Sequence, residues 1–90
     1  MLYVVIEHYR NGDPLPVYRR LRDQGRQMST GIEYRGSWVT ADLAHCYQVM
    51  ECADPAELEG WIARWKDLVD FEVMPVMTSA EAQALVAPRL

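Results

Sequence analysis

Glu7, Arg35, Ser37, Gln48 and Glu72 are the side chains of this sequence best suited to handle a small molecule. Two carboxylates near a guanidinium can be tuned for proton transfer, because burial raises a carboxyl pKa and a neighbouring cation lowers it. Glu7 or Glu72 would then move the proton and Arg35 would hold an anionic group. Ser37 and Gln48 would add hydrogen bonds, and Tyr3, Met50 and Met74 would set the shape of the cavity. The plainer reading of the same residues is an ion pair at a subunit interface or on a solvated rim.

The other reactive side chains carry less. His8 and His45 are the only histidines, and neither stands in a sequence spacing that pairs it with cysteine or carboxylate for zinc. No metal site is expected. Cys46 and Cys52 belong to one expected strand, and six residues of strand span roughly 20 Å, too far for a disulfide between them. A cysteine acts as a nucleophile only beside a base or cation, and no Cys-His-Asp order supports one here. No glycine-rich phosphate loop appears, and no cofactor is expected.

These residues are positioned by a short series of elements. Leu2 to Tyr9 is β-branched and aromatic, the composition of a strand, and Asn11-Gly12-Asp13-Pro14 stops it. Pro14 and Pro16 suit a helix start, and Tyr18, Leu21, Gly25 and Met28 recur at helical spacing over Val17 to Met28. Gly25 inside that helix suggests close packing on a sheet. Ile32 to Val39 and Leu43 to Cys52 form a hairpin about Thr40-Ala41-Asp42. Asp54-Pro55-Ala56-Glu57 has capping-box spacing and opens a helix whose apolar stripe is Leu58, Trp61, Ile62, Trp65 and Leu68. Both tryptophans fit core packing. Asp70 to Met77 is a fourth strand, with Pro75 arguing for an edge. Thr78 to Glu81 is a second capping box, opening a short helix to about Val86.

The order β-α-β-β-α-β predicts an α+β, ferredoxin-like domain over residues 1–90, with a four-stranded antiparallel sheet. Right-handed crossovers put both helices on one face. Side-chain alternation assigns Ile6, Tyr34, Trp38, Tyr47, Val49, Phe71 and Val73 to that covered face. Tyr3, Val5, Glu7, Arg35, Ser37, Cys46, Gln48, Met50, Glu72 and Met74 fall on the bare one. The second set is too apolar for water and too polar for a dry core, so a second copy of the chain is expected to cover it. The candidate ligand cavity, lined by Glu7, Arg35, Ser37, Gln48, Met50 and Glu72, then lies between the two sheets.

Composition narrows the partners. The chain is 50% hydrophobic with a net charge of -4, which speaks against a nucleic-acid surface. Arg10, Arg19, Arg20, Arg22, Arg26 and Arg35 crowd the first part, as a solvated helix face would. The opening MLYVVIEHY meets Glu7 and His8 too soon for a secretory signal, and no run approaches the length of a membrane span. Free thiols then point to the cytoplasm.

The segments LYVVIEHYRNG, YRGSWV, CYQVME and WKDLVDFEVMPV resemble a bacterial family of chains of this length known only as a domain of unknown function. The resemblance runs nearly end to end and implies a dimeric α/β barrel built from ferredoxin-like subunits. Its wider superfamily includes cofactor-free monooxygenases, muconolactone-isomerase-like enzymes, haem-degrading enzymes and ligand-sensing domains. It brings no catalytic residues to carry over. Related folds can be set aside on missing motifs: the cysteine pair of metal transporters, the basic aromatic sheet of RNA-recognition domains, and the loop of acylphosphatases, of which Arg10-Asn11-Gly12 is a faint echo. Two functions follow as expectations. One is a homodimeric binding or assembly module with a small-molecule cavity. The other is a cofactor-independent monooxygenase-like or isomerase-like enzyme acting on an apolar or aromatic small molecule.

Overall fold

The computed structural model describes residues 1–90. Four strands, β1 (Leu2–Tyr9), β2 (Ile32–Val39), β3 (His45–Cys52) and β4 (Val69–Val76), form one antiparallel sheet in the order β2-β3-β1-β4. Helices α1 (Leu15–Gln24) and α2 (Pro55–Ala63) supply the crossovers, and α3 (Ser79–Val86) follows β4. This is the ferredoxin-like topology that the element order implies. Both helices lie on one face: Val17 of α1 and Leu58 and Trp61 of α2 share a single buried cluster with Val5, Tyr9, Cys46 and Met50 of the sheet. Arg20 of α1 ties the helices together. It donates to both carboxylate oxygens of Asp67, at 2.8 and 2.6 Å, and to the Arg64 carbonyl at 3.0 Å, all beyond the end of α2.

Local chemistry explains most boundaries. The Thr78 hydroxyl accepts from the Glu81 backbone N–H while the Glu81 carboxylate accepts from that of Thr78, a complete capping box. At α2 the Asp54 carboxylate accepts from the Ala56 N–H, but the expected return contact from Glu57 is not made. The Glu57 carboxylate accepts instead from the Ser29 hydroxyl at 2.7 Å. Pro75 sits on an edge strand, where its missing N–H faces no neighbour.

Gly25 does not lie within a helix. It ends α1 at φ 70° and ψ -168°, a region essentially closed to residues with a Cβ. Close packing is not its role, since an added Cβ would meet nothing within 4 Å. The helix therefore stops four residues before the expected Met28, and Arg26 and Gln27 fall in a loop.

In β1, β3 and the end of β2 the sheet faces are the reverse of the expected ones, whereas Tyr34, Phe71 and Val73 lie under the helices and Arg35, Glu72 and Met74 on the open face, as expected. Tyr3, Val5, Glu7 and Tyr9 of β1 line up with Met50, Gln48 and Cys46 of β3, and this is the face under the helices. Ile6, Tyr47, Val49 and Trp38 lie on the open face. Alternation misled because both sets of β1 side chains are apolar: Leu2, Val4 and Ile6 look as buried as Tyr3 and Val5. In β2 a bulge between Tyr34 and Gly36 shifts the parity midway, so Ser37 pairs with Gln48 under the helices while Trp38 turns outward.

Two glycine substitutions separate backbone strain from packing. Gly25→Ala should lower unfolding stability by about 1–3 kcal/mol. Gly60→Ala, in the interior of α2 with open space around the new methyl, should raise it by roughly 0.5–1 kcal/mol. Urea midpoints at constant m-value report both, and equal signs would contradict the assignment.

Candidate functional site

The helices do not close fully onto the sheet. Between them lies a pocket of about 110 Å³. Its polar lining comes from Glu7, Gln48, Ser37 and Arg26, and Tyr9, Trp61 and Trp65 wall it with aromatic surface. By comparison, a hole of roughly 150 Å³ takes benzene. Glu7 is 7% exposed and Gln48 only 2%, so both are core positions by accessibility and polar by chemistry.

Gln48 is the anomaly of the core. Its Oε1 is buried without any hydrogen-bond partner. An orphaned buried acceptor costs on the order of 1–3 kcal/mol, and nothing in the surrounding side chains offsets it.

Glu7 has a shifted acidity. Burial pushes its carboxyl up to about 7, against the opposing pull of the Arg26 charge. It is therefore poised to hold or release a proton near neutrality. The neighbouring groups are not. Burial, then the Glu7 charge, raises the Cys46 thiol to about 11, so it stays a protonated, weakly nucleophilic thiol. Burial first, then Cys46, Tyr18 and Glu7, holds the Tyr9 phenol far above its ordinary value.

Arg26 reaches the pocket because its loop is anchored from behind. The indole N–H groups of Trp61 and Trp65 both donate to the Arg26 carbonyl, at 2.9 and 3.0 Å. Arg64 donates to the next carbonyl, that of Gln27. The Arg26 guanidinium lies 4.1 Å above the Tyr34 ring, and the Tyr34 hydroxyl is hydrogen-bonded to that of Ser37. A cation, a ring and two hydroxyls thus form one rim.

The six residues expected to share a cavity are divided between the faces. Glu7, Ser37 and Gln48 line the pocket. Met50 is on the same side but fully buried, and serves as core. Arg35 and Glu72 lie on the open face. Arg35 pairs there with Glu33 at 3.4 Å and with Glu51. Arg26, read from the sequence as part of a solvated helix stripe, is the arginine that lines the pocket. The glycine that ends α1 was the signal that could have placed it.

Glu72 joins a different group. His8 stands directly opposite His45 across β1 and β3, with their Nδ1 atoms 2.8 Å apart. His8 Nε2 lies 3.2 Å from Glu72 Oε2. These three are far apart in sequence, so spacing could not reveal them. Across the whole chain no helix is long and apolar enough to cross a membrane.

Solved structures of similar fold include protein Atu4242 from Agrobacterium tumefaciens, 15% identical over 88% of this chain and 96% of that one, with a TM-score of 0.50. Rv0793 from Mycobacterium tuberculosis is 14% identical over 88% and 97%, at 0.48. MupZ from Pseudomonas fluorescens is 14% identical over 98% and 84%, at 0.46. The first of these likenesses speaks to the fold alone. No curated protein matches the chain. Residues 1–90 match from end to end the family described as Domain of unknown function (DUF3303), and the chain belongs to that family.

Proposed function

We propose that this protein is a homodimeric small-molecule binding module whose ligand enters the pocket between sheet and helices and exchanges a proton with Glu7. The observation that carries the reading is the orphaned Gln48 Oε1. A ligand O–H or N–H would satisfy it, which explains why an uncompensated polar atom is kept in the core. The pocket is ring-sized and aromatic-walled, with a cation at its rim. Such a site suits one small ring that carries a weakly acidic hydroxyl, its proton shared with Glu7 and its developing charge facing Arg26. The near-neutral carboxyl favours a second reading, a cofactor-independent enzyme of isomerase-like or monooxygenase-like type. In it, Glu7 would be the general base and Arg26 the oxyanion partner.

The dimer rests on the open face. Trp38 is 63% exposed there, Tyr47 is exposed beside it on β3, and Met74 is exposed on the opposite edge strand, β4. Helix α3 buries none of its side chains. A second copy of the chain is the proposed cover, sheet against sheet. Sedimentation at micromolar concentration should show a dimer, and Tyr47→Lys should shift it towards monomer without unfolding it. A wild-type monomer under those conditions would end this part of the proposal.

The pocket is tested by thermal shift with phenol, benzoate and benzene. Phenol should raise the melting temperature more than benzene, because only phenol can donate to Gln48. Gln48→Leu should stabilise the free protein by about 1 kcal/mol and abolish the preference for phenol. A variant that is both less stable and equally selective would refute the site.

The pH dependence has a definite sign. Glu7 titrates higher folded than its ordinary 4.5. Its contribution is therefore fully present below about pH 4.5 and is lost as pH rises through 7. The loss amounts to at most about 3 kcal/mol. The stability of Glu7→Gln relative to wild type should climb across that window in urea titrations. A difference that does not change between pH 5 and 8 would show that Glu7 titrates normally.

A further inference from the structure

The open face holds a second constellation, separate from the pocket and lying on the face that the proposed dimer covers. His8 and His45 face each other at a non-hydrogen-bonded position of the ladder, since the flanking bond runs from the Tyr9 N–H to the Ala44 carbonyl at 3.0 Å. At such positions side chains approach most closely, with Cβ atoms about 4.5–5.5 Å apart. The imidazole rings meet edge to face, with centroids 4.8 Å apart and planes at 79°.

With both rings neutral, the hydrogen bonds determine the tautomers. The Glu72 carboxylate can only accept, so His8 Nε2 carries the proton that it donates there. The Nδ1 of neutral His8 is then a lone pair. His45 Nδ1 must donate to it across the 2.8 Å gap. A carboxylate behind one histidine, leaving the other nitrogen of that ring basic, is the arrangement that orients histidines toward metal ions.

We propose that His8 and His45 chelate one divalent transition-metal ion through their Nδ1 atoms, with Glu72 fixing His8 from behind. The geometry needs little change. Two imidazole nitrogens on one tetrahedral ion, each about 2.0–2.1 Å from it, stand roughly 3.3 Å apart. The rings need only separate by about half an ångström from their present distance and turn their lone pairs to a common point. The ion requires a change of tautomer: His45 Nδ1–H is lost to solvent while Nε2 takes up a proton, so the ring stays neutral and the freed Nδ1 electron pair becomes the second ligand bond. Imidazole pairs suit copper, nickel and zinc, with copper the tightest of these. No group of three or more His, Cys, Asp or Glu side chains is arranged to hold an ion, so water fills the remaining positions. The charged groups around the pair favour a cation. Asp42, whose carboxylate accepts from the Ala44 N–H, lies beside His45. Asp70, opposite His8 on β4, neutralises Arg10 at 3.3 Å, the one cation on this rim.

The test uses the full chain, stripped with chelator and titrated calorimetrically with Cu²⁺ or Zn²⁺ alone at pH 7.5 and 5.5. One ion per chain should bind at pH 7.5, and at least about tenfold more weakly at pH 5.5, where protons compete for the imidazoles. His8→Gln and His45→Gln should each weaken binding tenfold or more, and Glu72→Gln by about tenfold. Circular dichroism checks that the variants fold. Should one fail to fold, nitrogen-15 spectra of the wild-type imidazoles during Zn²⁺ addition decide instead, with both Nδ1 signals moving together. Equal binding by wild type and the His8→Gln/His45→Gln double variant would place the ion elsewhere and overturn the proposal. So would imidazole signals that do not move.

Discussion

Two indole N–H groups converge on one carbonyl oxygen, that of Arg26, and the architecture of the pocket depends on this contact. Trp61 and Trp65 are four residues apart on successive turns, so their rings stack along one edge of α2 and its extension. A carbonyl oxygen has two lone pairs and can accept both donors. Each bond satisfies a buried indole that would otherwise be costly. The consequence is long-range: the loop after α1 is clamped to α2, which sets the Arg26 backbone at the rim of the pocket. Gly25 makes the clamp possible by ending α1 in a conformation that other residues avoid.

The clamp also governs electrostatics. The Arg26 charge pulls the pKa of Glu7 down against its burial. Glu7 therefore sits near neutrality as a compromise between desolvation and a cation held in place by two tryptophans. For Cys46, buried beside it, burial and the Glu7 charge outweigh the help of Arg26 and a Tyr9 hydrogen bond, and it remains a thiol. The same pocket thus holds one group ready to exchange a proton and another kept inert, and their environments alone account for the difference.

The two faces of the sheet solve different problems. Under the helices, apolar surface is sealed except where Glu7, Gln48 and Ser37 interrupt it. On the other side, no element of this chain covers Trp38, Tyr47 or Met74. Charged and polar residues, His8, Glu72, Arg35 and Glu51, ring this apolar surface and pair among themselves. A sheet that is apolar on both faces but has helices on only one is the physical reason to look for a second copy.

Local chemistry was legible in the sequence. The strand composition, the proline and aspartate starts, the Thr78–Glu81 box and the edge position of Pro75 are all contacts between near neighbours, and residue order alone determined them. Element order then determined the ferredoxin-like topology and both helices on one face. Which face that is was decided only in three dimensions. Both sides of β1 are apolar, and a single bulge after Tyr34 reverses the parity of β2. Glu7, Ser37 and Gln48 line one pocket, but under the helices rather than on the open face, and the arginine beside them is Arg26 rather than Arg35. The union of His8, His45 and Glu72 comes from strand register. Register is a property of the assembled sheet, set by the packing of distant segments, and no spacing along the chain encodes it.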